Sequence, residues 1–303
     1  EEDAMTRANV REPVNVVKAH RQTEGAGFIV RRPIPTMGLP LVDPFLLIDE
    51  MGPSVYGPGQ AIGAPDHPHR GFETVTYMLD GEFEHEDSAG HHGIIRAGDV
   101  QWMTAGAGIV HSEMPSSTIR YEGGRVHGFQ IWVNLPARLK MTRPRYQGVP
   151  SDRIPTASTD DGLVHVRVIA GEALGVSAVI DTHTPIVFQD WTVHAGGDVT
   201  TGVPADHQAL VYVFEGQVRV GNGDAVLREG EMAILGQGDQ VRLRGVEGDE
   251  RPGRMLLLAG VPLAEPVARY GPFVMNTRDE LIQAFRDYES GKMGEITRTA
   301  EWR

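Results

Sequence analysis

Residues 66 to 115 read DHPHRGFETVTYMLDGEFEHEDSAGHHGIIRAGDVQWMTAGAGIVHSEMP. Two short polar clusters, His67-Pro68-His69 and His111-Ser112-Glu113, interrupt this strand-like, glycine-punctuated stretch. Each pair of chelating residues is spaced i, i+2, and in an extended strand that spacing sends both side chains to one face of the sheet. On adjacent strands the two pairs converge. Three imidazoles and one carboxylate then make a ligand set suited to a divalent transition metal such as Fe, Mn, Ni, Cu or Zn. An H-x-H pair alone is commonplace on a solvent-facing strand; both pairs inside one predicted hairpin system carry more weight. The candidate metal ligands are therefore His67, His69, His111 and Glu113.

The surroundings read as β-structure. Glu73 to Leu79, Gly81 to Glu86, Ile94 to Ile95 and Val100 to Met103 have strand character, separated by turn signals at Asp80-Gly81, Ala89-Gly90 and Ala97-Gly98. Short strands at that spacing predict an antiparallel barrel or sandwich. Residues 127 to 136, HGFQIWVNLP, add a strand in which Phe129, Ile131 and Val133 alternate with Gln130 and Trp132. Upstream, residues 25 to 32 and 44 to 50 read as strands, and the Gly- and Pro-dense residues 51 to 66 read as a loop forming a rim above the metal site.

The second half repeats the first. Tyr77-Met78-Leu79-Asp80-Gly81 aligns with Tyr212-Val213-Phe214-Glu215-Gly216 at an offset of 135, and Ala97-Gly98-Asp99 with Glu229-Gly230-Glu231 at 132. A strand ending in an acid and Gly, a hairpin, then Gly plus an acid before another apolar strand is one supersecondary unit used twice. On this alignment Gly202, Pro204, Leu243 and Gly245 stand where the first copy has its four candidate ligands. The chain closes with a capping-box pattern, Thr277 with Glu280, and with Leu281, Ala284, Phe285 and Tyr288 at helical spacing before Gly291. One amphipathic helix packed on a barrel is expected.

Composition excludes several classes. The 303 residues suffice for about two domains, and the 37 glycines and 20 prolines fit a turn-rich globular chain. No cysteine is present, which rules out disulfides and a thiolate nucleophile. A formal net charge of −13 repels phosphate backbones and anionic membranes, so neither direct nucleic-acid binding nor membrane binding is expected. Without a basic, apolar leader or a long apolar run, a soluble, cytoplasmic protein is expected.

HPHRGFETVTYMLDG, WMTAGAGIVHSEMP, GFQIWVNLP and the terminal EPVARYGPFVMNT resemble, in order, the signature stretches of the pirin family of bicupins, over about Phe28 to Gly294. The resemblance implies an all-β architecture of two antiparallel β-barrel cupin domains with a short C-terminal α-helix. The expected division is 9–140, metal-binding, and 141–303, without metal ligands. It also implies one metal per chain, Fe(II) in most descriptions of the family, with Cu, Ni, Co, Mn or Zn compatible with the ligand set. His67, His69, His111 and Glu113 match the family's ligand positions. A generic cupin motif, H-x-H-x-x-x-E, would instead offer Glu73 as the carboxylate; the resemblance favours Glu113 and leaves Glu73 a supporting acid. Of the other histidines, His91, His92, His183, His194 and His207 are read as surface or core residues, and His127 is a minor candidate.

Some pirins resemble quercetinases, which open a flavonol with O2 and release CO, whereas mammalian pirins are described as iron-dependent coregulators. The expected function is accordingly a metal-dependent dioxygenase acting on a small aromatic substrate, with Glu113 as the catalytic proton acceptor. The alternatives are an iron-dependent redox-sensing protein acting through a protein partner and another small-molecule cupin enzyme. Phe72, Trp102, Met103 and Trp132 are candidate pocket walls, and a monomer is the expected oligomeric state.

Overall fold

The computed structural model describes residues 9–24, 26–248 and 250–297. Gly25, the first residue of one expected strand, and residues 298–303 of the expected second domain lie outside the described residues. The chain divides into two compact units, each assembled from separate stretches: His20–Arg153 with Leu263–Arg303, and Glu1–Ala19 with Ile154–Pro262. This replaces the expected single cut between residues 140 and 141. Pro13–Lys18 pairs with Glu231–Leu235, and Asp287 and Val274 reach Arg70, arrangements that local patterning does not encode.

In the unit that carries His67, a seven-stranded antiparallel sheet runs Arg145–Val149, Val100–Thr104, Phe72–Asp80, Gly124–Asn134, Phe45–Tyr56, Phe28–Ile34, His20–Glu24. A four-stranded sheet runs Ala64–His69, Ile109–Pro115, Phe83–Asp87, His92–Ile95. Met78 of the first sheet and Phe83 and Ile95 of the second share one apolar cluster, which joins the two layers. The strand Phe45–Tyr56 continues well into the stretch expected to be loop, because Tyr56, Val55 and Ser54 pair with Gly124, Arg125 and Val126. A register shift beside Gly128 absorbs the Gly52-Pro53 step, so these turn-forming residues mark a bulge inside a strand rather than its end.

The other unit repeats this plan. Its sheets run Pro13–Lys18, Glu231–Leu235, Gln208–Glu215, Gly253–Gly260, Ile186–Val193, Val164–Ala170, Thr156–Ser158 and Asp198–Gly202, Gln240–Gly245, Gln217–Val220, Val226–Arg228. Trp191, Val211, Leu243 and Leu257 belong to one large apolar cluster in it. The fold is thus all-β and bicupin, as the repeat predicts. Among the described residues no helix is long and apolar enough to cross a membrane.

The terminal helix, Arg278–Glu289, starts at the expected capping box, with Glu280 N donating to Thr277 Oγ1 at 3.2 Å and Thr277 N to Glu280 Oε2 at 2.8 Å. Leu281 and Ala284 are buried, but Tyr288 is 38% exposed and Asp287 is buried instead. A short helix that the sequence reading did not anticipate, Ser117–Glu122, is capped by Ser116.

Asp287 is buried because Arg70, immediately after His69, donates to it at 2.9 Å. The same arginine donates through Nε to Ala107 O at 2.7 Å, and Val274 N donates to Arg70 O at 3.1 Å. Lys140 Nζ, also buried, spends its three protons on Gly71 O, Asn134 Oδ1 and Val274 O at 2.7–3.0 Å. The C-terminal segment is therefore a clasp on the His67-Pro68-His69 strand. Arg70→Ala leaves the Asp287 carboxylate to the exposed Lys292 and to Gln283, each at 2.8 Å, and strips a packed aliphatic stem, so a loss of about 2 kcal/mol is expected in urea unfolding. A loss under about 1 kcal/mol would show that this pair does not hold the clasp.

Candidate metal centre

The strand Ala64–His69 pairs antiparallel with Ile109–Pro115, placing His111 directly opposite His67 and Ile109 opposite His69. Inward-facing residues of both strands therefore meet, as the i, i+2 spacing predicts. The ring centroids lie 4.7 Å apart for His67 and His69, 4.4 Å for His67 and His111, and 5.0 Å for His69 and His111. Their nitrogen ligand atoms all fall within 4.8 Å of one another, the one such grouping among the described residues.

Hydrogen bonding selects the nitrogens that point inward. His67 Nδ1 lies 2.7 Å from Pro65 O and His69 Nδ1 lies 3.4 Å from Pro272 O, so each Nδ1 carries the proton and Nε2 keeps the lone pair. His111 is 1% exposed, and neither of its ring nitrogens has a hydrogen-bond partner. Burial, reinforced by His67 close by, holds both His69 and His111 well below the usual imidazole range, so both are neutral. An orphaned polar atom at such depth costs about 1–3 kcal/mol unless something takes its lone pair. A divalent transition metal fits this trio of neutral imidazoles.

Glu113 stands outside the tight trio. A register shift separates His111, opposite His67, from Glu113, opposite Ala64. The Thr76 hydroxyl donates to Glu113 Oε1 at 2.8 Å, and Gln130 Nε2 reaches Oε2 at 3.4 Å. Burial pushes the Glu113 carboxyl upward, an effect opposed by His67 and by the Thr76 hydrogen bond. Glu73 is elsewhere: fully buried, it accepts a 2.7 Å hydrogen bond from the Thr104 hydroxyl. His127 is engaged by Glu50 at 2.8 Å, and His91 by Asp87 at 2.9 Å.

His67, His69 and Glu113 open onto a cavity of about 630 Å³, within the range of small-molecule sites. Of the four expected wall residues only Trp132 lines it; Phe72, Trp102 and Met103 are core. Alternation along Gly124–Asn134 buries Phe129, Ile131 and Val133 and leaves Gln130 and Trp132 on the cavity face. The sequence reading missed Phe28, Met51, Gln130 and Arg269 as lining residues. Arg269 and Pro272 come from the clasp, some 200 residues away along the chain, and although both lie in the stretch EPVARYGPFVMNT, nothing in its pattern places them at the cavity. Beside Glu113 a small, more apolar recess is lined by Ile62, Phe83 and Val126.

The Pirin family model matches residues 27–133, and the model for the pirin C-terminal cupin domain matches residues 188–294. The chain belongs to the pirin family. Pirin of Homo sapiens is 42% identical over 290 residues, covering 95% of each chain, and a pirin-like protein of Caulobacter vibrioides is 43% identical, covering 93% of this chain and 99% of its own. Among solved structures, a quercetin 2,3-dioxygenase from Acinetobacter baumannii superposes with a TM-score of 0.88 at 38% identity, covering 95% of this chain and all of that one. The Escherichia coli pirin YhhW, in complex with nickel(II), shares the fold at 22% identity with a TM-score of 0.62, covering 82% of this chain and 99% of its own. In this member of the pirin family the second barrel has Leu243 within its apolar core, while a Cβ on Gly245 would meet His194 O at 1.9 Å. Neither position offers a ligand.

Proposed function

We propose that this pirin is a metal-dependent dioxygenase that cleaves a flavonol such as quercetin with O2 and releases CO. The observation that carries the reading is the His111 ring, buried with both nitrogens orphaned, in a trio of imidazoles beside a cavity of small-molecule size. The likeness to a quercetin 2,3-dioxygenase at 38% identity supports the same substrate class.

His67, His69 and His111 would hold the metal, with Glu113 as the nearby carboxylate that completes the set. When bound, a divalent ion such as Fe(II) supplies positive charge that stabilises a deprotonated substrate hydroxyl and a means of engaging O2. The remaining work belongs to the chain. Thr76 and Gln130 orient the Glu113 carboxylate, and Oε2, held by the long hydrogen bond from Gln130, accepts the hydroxyl proton. Phe28, Met51 and Trp132 offer apolar walls that restrict water and hold a planar ring.

Metal-loaded protein is expected to consume O2 and release CO with quercetin, above the rate of free metal, and a chelator is expected to stop it. Absence of flavonol loss with Fe, Cu, Ni, Co and Mn, each verified as bound, would overturn the enzyme reading in favour of a redox-sensing binding protein.

A further inference from the structure

Two guanidinium groups share one wall of the cavity, and they are satisfied very differently. Arg32 is neutralised at contact distance: Nε and Nη2 each reach Asp49 at 2.5 Å, and Nη1 lies 2.7 Å from Glu24. Arg269 has one hydrogen bond, from Nη1 to Leu46 O at 3.0 Å, and among the described residues no carboxylate lies within ion-pair distance of it. Its guanidinium is centred 4.6 Å from the Trp132 ring, which stands edge-on to His69 at 5.2 Å. Phe72 packs on the same indole, its ring centroid 4.3 Å away. Trp132 thus walls the cavity and at the same time supports the arginine, between it and His69.

We propose that Arg269 is an anion-recognition residue, and that the cavity takes planar aromatics bearing chelating hydroxyls at one end and a carboxylate or phenolate at the other. This rests on the aromatic-substrate reading above and narrows it to anionic members of that class. A half-buried guanidinium with no ion-pair partner keeps planar, paired N–H donors available for an oxyanion, and the stacked indole limits the rotamer entropy lost on binding. Asp49 and Glu24 act on Arg269 only at longer range, because Arg32 holds both at contact distance.

The test is a binding comparison under anaerobic conditions, where turnover is absent and failure of the dioxygenase reading cannot be mistaken for failure of this one. Zn(II)-loaded protein is titrated calorimetrically with 3,4-dihydroxybenzoate and with catechol, which share the chelating hydroxyls and differ in the distal carboxylate. Wild-type protein is expected to prefer the carboxylate-bearing ligand by about tenfold or more, with the preference shrinking as salt rises. Arg269→Gln should abolish the preference while catechol affinity stays within about threefold, which also shows that the variant retains a folded pocket; Arg269→Lys should keep part of it. Equal affinities in the wild type, or an undiminished preference in Arg269→Gln, would overturn the proposal.

Discussion

Replacing His111 with alanine is expected to take the metal content of purified protein from one equivalent per chain to none detectable. His111 is the deepest of the three imidazoles, and with His67 and His69 it forms the one three-ligand grouping among the described residues. What remains is two imidazoles and Glu113, which stands outside the tight grouping, too loose a set to retain metal through purification. The stability of the metal-free state should change little. Wild-type apoprotein buries two unsatisfied ring nitrogens, a cost of about 1–3 kcal/mol, which alanine removes while opening a cavity of comparable cost. Chelator should therefore lower the melting temperature of the wild type and leave that of His111→Ala unchanged. Elemental analysis with paired melting curves decides the matter: one retained equivalent in the variant would remove His111 from the site, and two in the wild type would reveal a second site despite Leu243 and Gly245.

Much of this geometry was legible in the chain. The i, i+2 histidines needed only that their strands be neighbours, and the repeat of Tyr77–Gly81 at Tyr212–Gly216 anticipated two sheets with the same strand order. Alternation in Phe129, Ile131 and Val133 assigned the opposite face of that strand, where Gln130 and Trp132 meet the cavity. Long-range closure was not legible. Arg70 finds Asp287, and His69 finds Pro272, across more than 200 residues, and neither partner stands in a pattern that points to the other. Phe72, Trp102 and Met103 were expected at the cavity because large side chains suit pocket walls as well as cores, and composition does not distinguish the two. The loop expected over residues 51 to 66 shortens to residues 57–63 for a related reason, since Gly and Pro mark bulges as well as turns.

Glu113→Ala is expected to lower flavonol turnover by at least about a hundredfold, the usual scale for losing a positioned base. The three-imidazole grouping does not include Glu113, so the variant should keep substantial metal, and activity can be normalised to metal bound. The carboxylate's surroundings explain why it suits proton acceptance. Burial raises its affinity for a proton, while the Thr76 hydroxyl at Oε1 and the Gln130 amide at Oε2 keep it pointed at the cavity. Glu113→Gln preserves shape and can still accept the Thr76 hydrogen bond, though not that of Gln130 as well, and it accepts no proton, so it should be nearly as slow as alanine if proton transfer is the role. Recovery of most activity in Glu113→Gln would instead assign the residue to orientation alone. Thr76→Val separates the two further: it leaves the carboxylate in place without its 2.8 Å donor, and a loss of about tenfold, smaller than that of Glu113→Ala, is expected if the hydroxyl only orients the base.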